Sequence, residues 1–181
     1  MVVEDVFSLR QGRAVRVTGR IERGRVRTGD ELQIVGSGDC SITRVTGIEA
    51  CPRSPLDEAT AGMNAALLLP GTAATVERGH VLAAPGSIAA HAAFVADIAL
   101  LPEEQGGTEL STGDTLDFHI HAGAVRGTVT LPAHLDALRP LHTAAVTVTL
   151  EHPVALENGR RFAFRHHGRA AGSGTVTRIL P

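Results

Sequence analysis

The sequence predicts an all-β protein, and three observations carry that expectation. Apolar residues recur with a period of two in short segments, turn residues separate those segments, and no stretch carries a long, capped helical period. Short, regular strands favour closed barrels, which leave no sheet edge unpaired. The 181 residues suffice for one large core or two small ones, and Pro85-Gly86 marks the strongest break. The expected architecture is two consecutive antiparallel β-barrels, residues 1–86 and 87–181.

Each element has its own warrant. Val15, Val17 and Ile21 alternate with Arg16, Thr18, Arg20 and Glu22, so one strand face is core and the other wet. Glu22-Arg23-Gly24 and Thr28-Gly29-Asp30 read as turns, and residues 31–35 resume the alternation with Leu32 and Ile34, which makes a meander. Residues 41–49 read as one somewhat irregular strand carrying Ile42, Val45 and Ile48, followed by a loop at 51–55. The apolar run 62–69, closed by Pro70-Gly71, and residues 79–83 complete the first half. The second half offers six strands, at 94–101, 115–121, 125–131, 144–150, 160–165 and 173–180, with turn signals between them such as Asn158-Gly159 and His167-Gly168.

Charge narrows the function. A net charge of −2 with 43% hydrophobic and 20% charged residues excludes a wholly disordered or wholly basic chain, so any nucleic-acid contact must be local. Seven of the seventeen arginines fall between Arg10 and Arg27 against one acid, and Arg13, Arg16, Arg20, Arg23, Arg25 and Arg27 form a basic strip suited to phosphates. There is no lysine, which excludes a Gly-Lys-Ser/Thr phosphate loop and Schiff-base chemistry. Cys40 and Cys51 are too far apart for a paired metal knuckle, which makes a reduced compartment the default. The N-terminus lacks the pattern of a secretory signal and no apolar run has the length of a membrane span, so a cytoplasmic location is expected. The enzyme alternative is a histidine metal site: His119 and His121 share one strand face, and His166-His167 end another. No carboxylate or thiol obviously completes that set, and the nearby Arg160, Arg161, Arg165 and Arg169 favour anions. No catalytic residue, metal or cofactor is expected.

The runs VEDVFS, TGRIERG and GDELQIVG, the segments DEATAGMNAALLLPG and VERGHVLAAPGSI, and the ending VTLEHPVALENGRRFAFRHHGRAAGSGTVTRIL together resemble the second and third domains of bacterial elongation factor Tu. The likeness spans nearly the whole chain, without that family's GTPase domain. It implies two β-barrels, no nucleotide hydrolysis, and residues that line a pocket for the aminoacylated CCA end of transfer RNA. By position, Glu4, Asp5, Phe7, Thr18 and Asn64 correspond to the aminoacyl pocket. Leu9 and Glu49 correspond to the residues around the terminal adenosine, and Arg78 to the arginine near the 5′ phosphate. The chemistry suits the ligand: carboxylates for a free α-amino group, an amide donor for an ester carbonyl, and an apolar or aromatic surface for a base.

Departures from the family also matter. One extra residue lies near Arg10, Ala14 replaces a glycine, Pro70 replaces an arginine, and residues 108–124 replace a stretch rich in His, Pro, Phe, Tyr and Arg, with His121 where an arginine would stand. The family places contacts to the T-stem and the GTPase domain on that side. The leading expectation is a non-catalytic binder of the aminoacyl-tRNA acceptor end, with no role for a membrane or DNA. The alternative is a protein-interaction module or decoy that imitates the barrels and docks on a ribosomal component, a separate GTPase or a translation inhibitor.

Overall fold

Side-chain alternation builds both cores. The computed structural model describes residues 1–36, 40–50, 54–73 and 75–181, and divides into two units, Met1–Ala89 and Ala90–Pro181. The first contains β1 (Asp5–Leu9), β2 (Ala14–Arg20), β3 (Arg25–Arg27), β4 (Glu31–Val35), β5 (Ser41–Arg44), β6 (Gly47–Ala50), β7 (Ser54–Leu56), β8 (Glu58–Thr60), β9 (Asn64–Pro70) and β10 (Val81–Ala83). Three ladders, in the orders β1-β2-β9-β6-β7, β10-β4-β5 and β3-β8, enclose one core that includes Val15, Val17, Ile34, Ile48, Leu67 and Leu69. Val15 and Val17 point inward as their spacing predicts, which leaves Ala14, Arg16, Thr18 and Arg20 on the outer face.

Several sequence expectations change. Residues 41–49 form two strands, because the chain passes from one ladder to another at Val45 and Thr46. The Val45 N–H donates to Asp30 O at 2.9 Å, and the Thr46 N–H to Leu68 O at 2.8 Å. Of the loop expected at 51–55, residues 51–53 lie outside the described residues, while Ser54 and Pro55 belong to β7 and pair with β6. Residues Arg10–Gly12 form a one-turn segment in which Gln11 and Gly12 take φ of 57° and 85°. The turn at 28–30 is as expected: Gly29 has φ 96°, and the Arg27 N–H donates to Asp30 Oδ2 at 2.8 Å.

The second unit contains β11 (Ala89–Leu100) from its second residue onward, β12 (Leu110–Ser111), β13 (Thr115–Ile120), β14 (Gly123–Thr130), β15 (Ala137–Leu138), β16 (Thr143–Leu156), β17 (Arg161–His166) and β18 (Arg169–Ile179). Six of these close a barrel in the order β11-β16-β14-β13-β17-β18, and β12 pairs with β15 in a short ribbon. Phe94, Phe118, Phe162 and Phe164 fill its centre with neighbouring ring centroids 5.7–6.5 Å apart, within the range of attractive aromatic pairs. Among the described residues no helix is long and apolar enough to cross a membrane.

Candidate functional site

Strand register assembles one face of the first unit. β1 pairs with β2 so that Asp5 lies opposite Thr18, Phe7 opposite Arg16 and Leu9 opposite Ala14. Across β2 and β9, Thr18 meets Ala66, Arg16 meets Leu68 and Arg20 meets Asn64; across β9 and β6, Ala66 meets Glu49 and Leu68 meets Gly47. Because Val15, Val17, Leu67 and Ile48 face the core, these partners share the outer side of the sheet. Two rows result, Asp5-Thr18-Ala66-Glu49 and Phe7-Arg16-Leu68-Gly47, with Leu9 beyond one end and Asn64 beyond the other. Residues separated by up to 61 positions in sequence thus converge through hydrogen-bonded registers.

The centre of this face is held by Arg16. Its Nε donates to Glu49 Oε2 at 2.9 Å, and its Cζ lies 5.9 Å from the centroid of the Phe7 ring. The Arg16 and Glu49 side chains are 15% and 25% exposed, so this ion pair is shielded more than a typical surface pair. Phe7 keeps 47% of its surface exposed, so it offers an apolar surface on this face. Ala66 is buried although it stands on the outer face.

The remaining candidates lie around the rim. Glu4 is exposed and precedes β1, with its N–H donating to Thr18 O at 2.8 Å. Arg78 sits in the segment stitched alongside Val3: the Gly79 N–H donates to Val3 O and the Val3 N–H to His80 O, each at 2.9 Å. The ring of His80 accepts the Glu77 N–H on Nδ1 at 3.2 Å, and burial pushes its pKa below the ordinary value against the opposing charge of Glu77. At the other rim, Gly71 approaches the Arg10–Gly12 turn so closely that a Cβ there would meet Gly12 O at 2.1 Å, and its N–H donates to Arg13 O at 3.0 Å.

The basic strip is not uniform. Arg13, Arg20, Arg23, Arg25 and Arg27 are exposed, whereas Arg16 is half-buried; Arg16 is bonded to Glu49, and Arg27 to Glu58 on the neighbouring β8. Neither glutamate partnership is visible in the linear sequence, since both depend on which strands become neighbours. Arg44 likewise bonds Glu31 across β5 and β4, at 3.0 Å.

Histidines of the second unit are placed apart. His119 projects from β13 between Ala124 and Ala163, whereas His121 falls past the strand end with φ 55° and bonds Ala155 O through Nε2 at 2.8 Å. The two therefore do not share a strand face, because the left-handed turn at His121 ends the alternation. His166 is buried, with Nδ1 2.8 Å from the Thr108 hydroxyl, and its ring stacks on His167 at 3.9 Å. Burial first, then the charge of His167, lowers the His166 pKa, while Asp114 opposes the shift. Among the described residues no group of three or more His, Cys, Asp or Glu side chains is arranged to hold a metal. A cleft of about 880 Å³ lies between residues 102–109 and 139–142, with Glu103, Glu104 and Glu109 on one wall and Arg139 and His142 on the other.

The family described as elongation factor Tu domain 2 matches residues 15–83, and that described as the elongation factor Tu C-terminal domain matches residues 87–180, just over half of the chain by itself. No match to the family's GTPase domain accompanies them. Both matched families are β-barrel domains of a translation factor, which makes this chain a translation-factor-like module.

Proposed function

This chain belongs to the elongation factor Tu family through its second and C-terminal domains, and on that footing we propose that it is a non-catalytic, cytoplasmic module that binds the aminoacylated CCA end of transfer RNA. The observation that carries the proposal is the shared face of β1, β2, β9 and β6, where register collects Asp5, Phe7, Leu9, Thr18, Glu49 and Asn64. Glu4 and Asp5 attract the α-amino group, Asn64 bonds the ester carbonyl, Phe7 and Thr18 line the same aminoacyl pocket, and Leu9 and Glu49 receive the terminal nucleoside. Arg78 meets the 5′ phosphate, and Arg13, Arg20, Arg23 and Arg25 supply the phosphate attraction. Binding is weak and salt-sensitive, since log affinity falls linearly with log salt as phosphates are neutralised.

The deciding experiment is a titration with one transfer RNA in aminoacylated and deacylated forms at low salt, alongside Asn64→Ala. A preference for the charged form that Asn64→Ala erases supports the pocket. Equal binding of both forms by the unaltered protein refutes it. One observation favours the second reading, a barrel mimic that docks on a protein: Arg16, Arg27 and Arg44 are each bonded to a glutamate, which reduces the net positive charge the meander offers to RNA.

A further inference from the structure

Arg16 does not behave as its neighbours in the basic strip do. Arg13, Arg20 and Arg25 are exposed and can follow a phosphate, but the Arg16 side chain is 15% exposed and is engaged on two sides, by Glu49 and by the Phe7 ring. A guanidinium is planar with donors in a fixed fork, so holding Nε on one carboxylate oxygen also fixes the plane of the group. Its bond goes to Glu49 Oε2, which leaves Oε1 to accept from a ligand.

This pairing changes what the carboxylate recognises. An isolated carboxylate attracts any cation, whereas one neutralised by a fixed arginine offers mainly a directional acceptor. The same guanidinium contacts Phe7, whose exposed part offers a surface for stacking. A planar, uncharged group that carries an N–H at its edge fits both features. An exocyclic amino group on a nucleobase has that chemistry.

We propose that Arg16 is a specificity-determining residue: it clamps Glu49 and Phe7 into one surface that reads the amino group of the terminal nucleobase, and it is not a phosphate contact. This inference rests on the reading of the face as an RNA acceptor-end site and names what selects the base there.

The test uses the full chain, with labelled acceptor-stem minihelices ending in CCA or in CC-purine riboside, which lacks only the amino group. The unaltered protein binds the adenosine end roughly tenfold or more tightly, as expected for a hydrogen bond to a charged acceptor. Arg16→Met erases that separation and leaves the salt dependence of binding unchanged. If Arg16→Met instead keeps the separation and lowers the salt slope by about one, Arg16 contacts a phosphate and the proposal falls. Equal binding of the two ends by the unaltered protein also overturns it. Arg16→Lys restores the charge without the planar fork, and a separation restored in that variant would show that charge alone suffices, against the clamp. An unaltered protein that separates the two bases but not charged from uncharged transfer RNA sinks the aminoacyl reading and leaves this one standing.

Discussion

The five phenylalanines allow packing and recognition to be separated by mutation. Phe94, Phe118, Phe162 and Phe164 are buried in the second core, whereas Phe7 is 47% exposed beside Arg16. Phe118 is fully buried with three rings around it at 5.7–6.5 Å, so Phe118→Ala removes a large side chain from a closed barrel and costs about 3–5 kcal/mol. For Phe7→Ala, roughly half the burial value of a large apolar side chain, about 1 kcal/mol, is lost. The cation–π contact with Arg16 adds about 0.5–1 kcal/mol, which brings the total to about 1–2 kcal/mol. The chain lacks Trp and Tyr, so urea unfolding followed by far-ultraviolet circular dichroism is the suitable assay. Phe118→Ala should lower stability severely, while Phe7→Ala should leave a folded protein with weakened binding to the RNA acceptor end. Equal destabilisation by the two substitutions would refute the assignment of Phe7 to recognition.

Three further outcomes follow from backbone and charge. Gly172→Ala places a Cβ 2.3 Å from Ala99 O and 2.5 Å from Phe164 Cζ, so it should lower stability by about 1–3 kcal/mol in a urea titration. Leu141→Gly should raise stability by about 1 kcal/mol in the same assay, because an exposed leucine now holds a left-handed φ of 65°. His80 and His166 both have depressed pKa values in the folded protein, so the unfolded chain binds more protons as the solution is acidified. Their contribution is present above the ordinary histidine pKa of about 6.5 and is lost as pH falls through the lower folded values. Thermal melts from pH 7.5 down to pH 5, at about half-unit steps, should therefore show falling stability, with a smaller fall in His80→Gln and His166→Gln; stability that rises over this interval contradicts the argument.

The alternation of Val15, Val17 and Ile21 was legible because it is local, and so were the six long strands of the second barrel. Pairings that depend on distant partners were not. The two strands at Ser41–Arg44 and Gly47–Ala50 look continuous in sequence, and only the carbonyls of Asp30 and Leu68 divide them. Ribbons such as β3-β8 and β12-β15 are two or three residues long, too short for a period to show. The Arg16–Glu49 bond requires β9 to lie between β2 and β6, which no spacing within either strand encodes.

The candidate face is a by-product of the same register that builds the core. On β2 every inward valine places an arginine or threonine outward, so a one-residue slip would bury Arg16 and expose Val17. Transferring an unpaired guanidinium into the core costs far more than a local change in loop conformation. The left-handed geometry at Gln11 and Gly12 accordingly falls in the turn, before the strand begins. Strain in the turn preserves Asp5 opposite Thr18 and Phe7 opposite Arg16, and with them the alignment of Glu49. The candidate face is therefore protected against changes in the turn by the energetic cost of inverting the core.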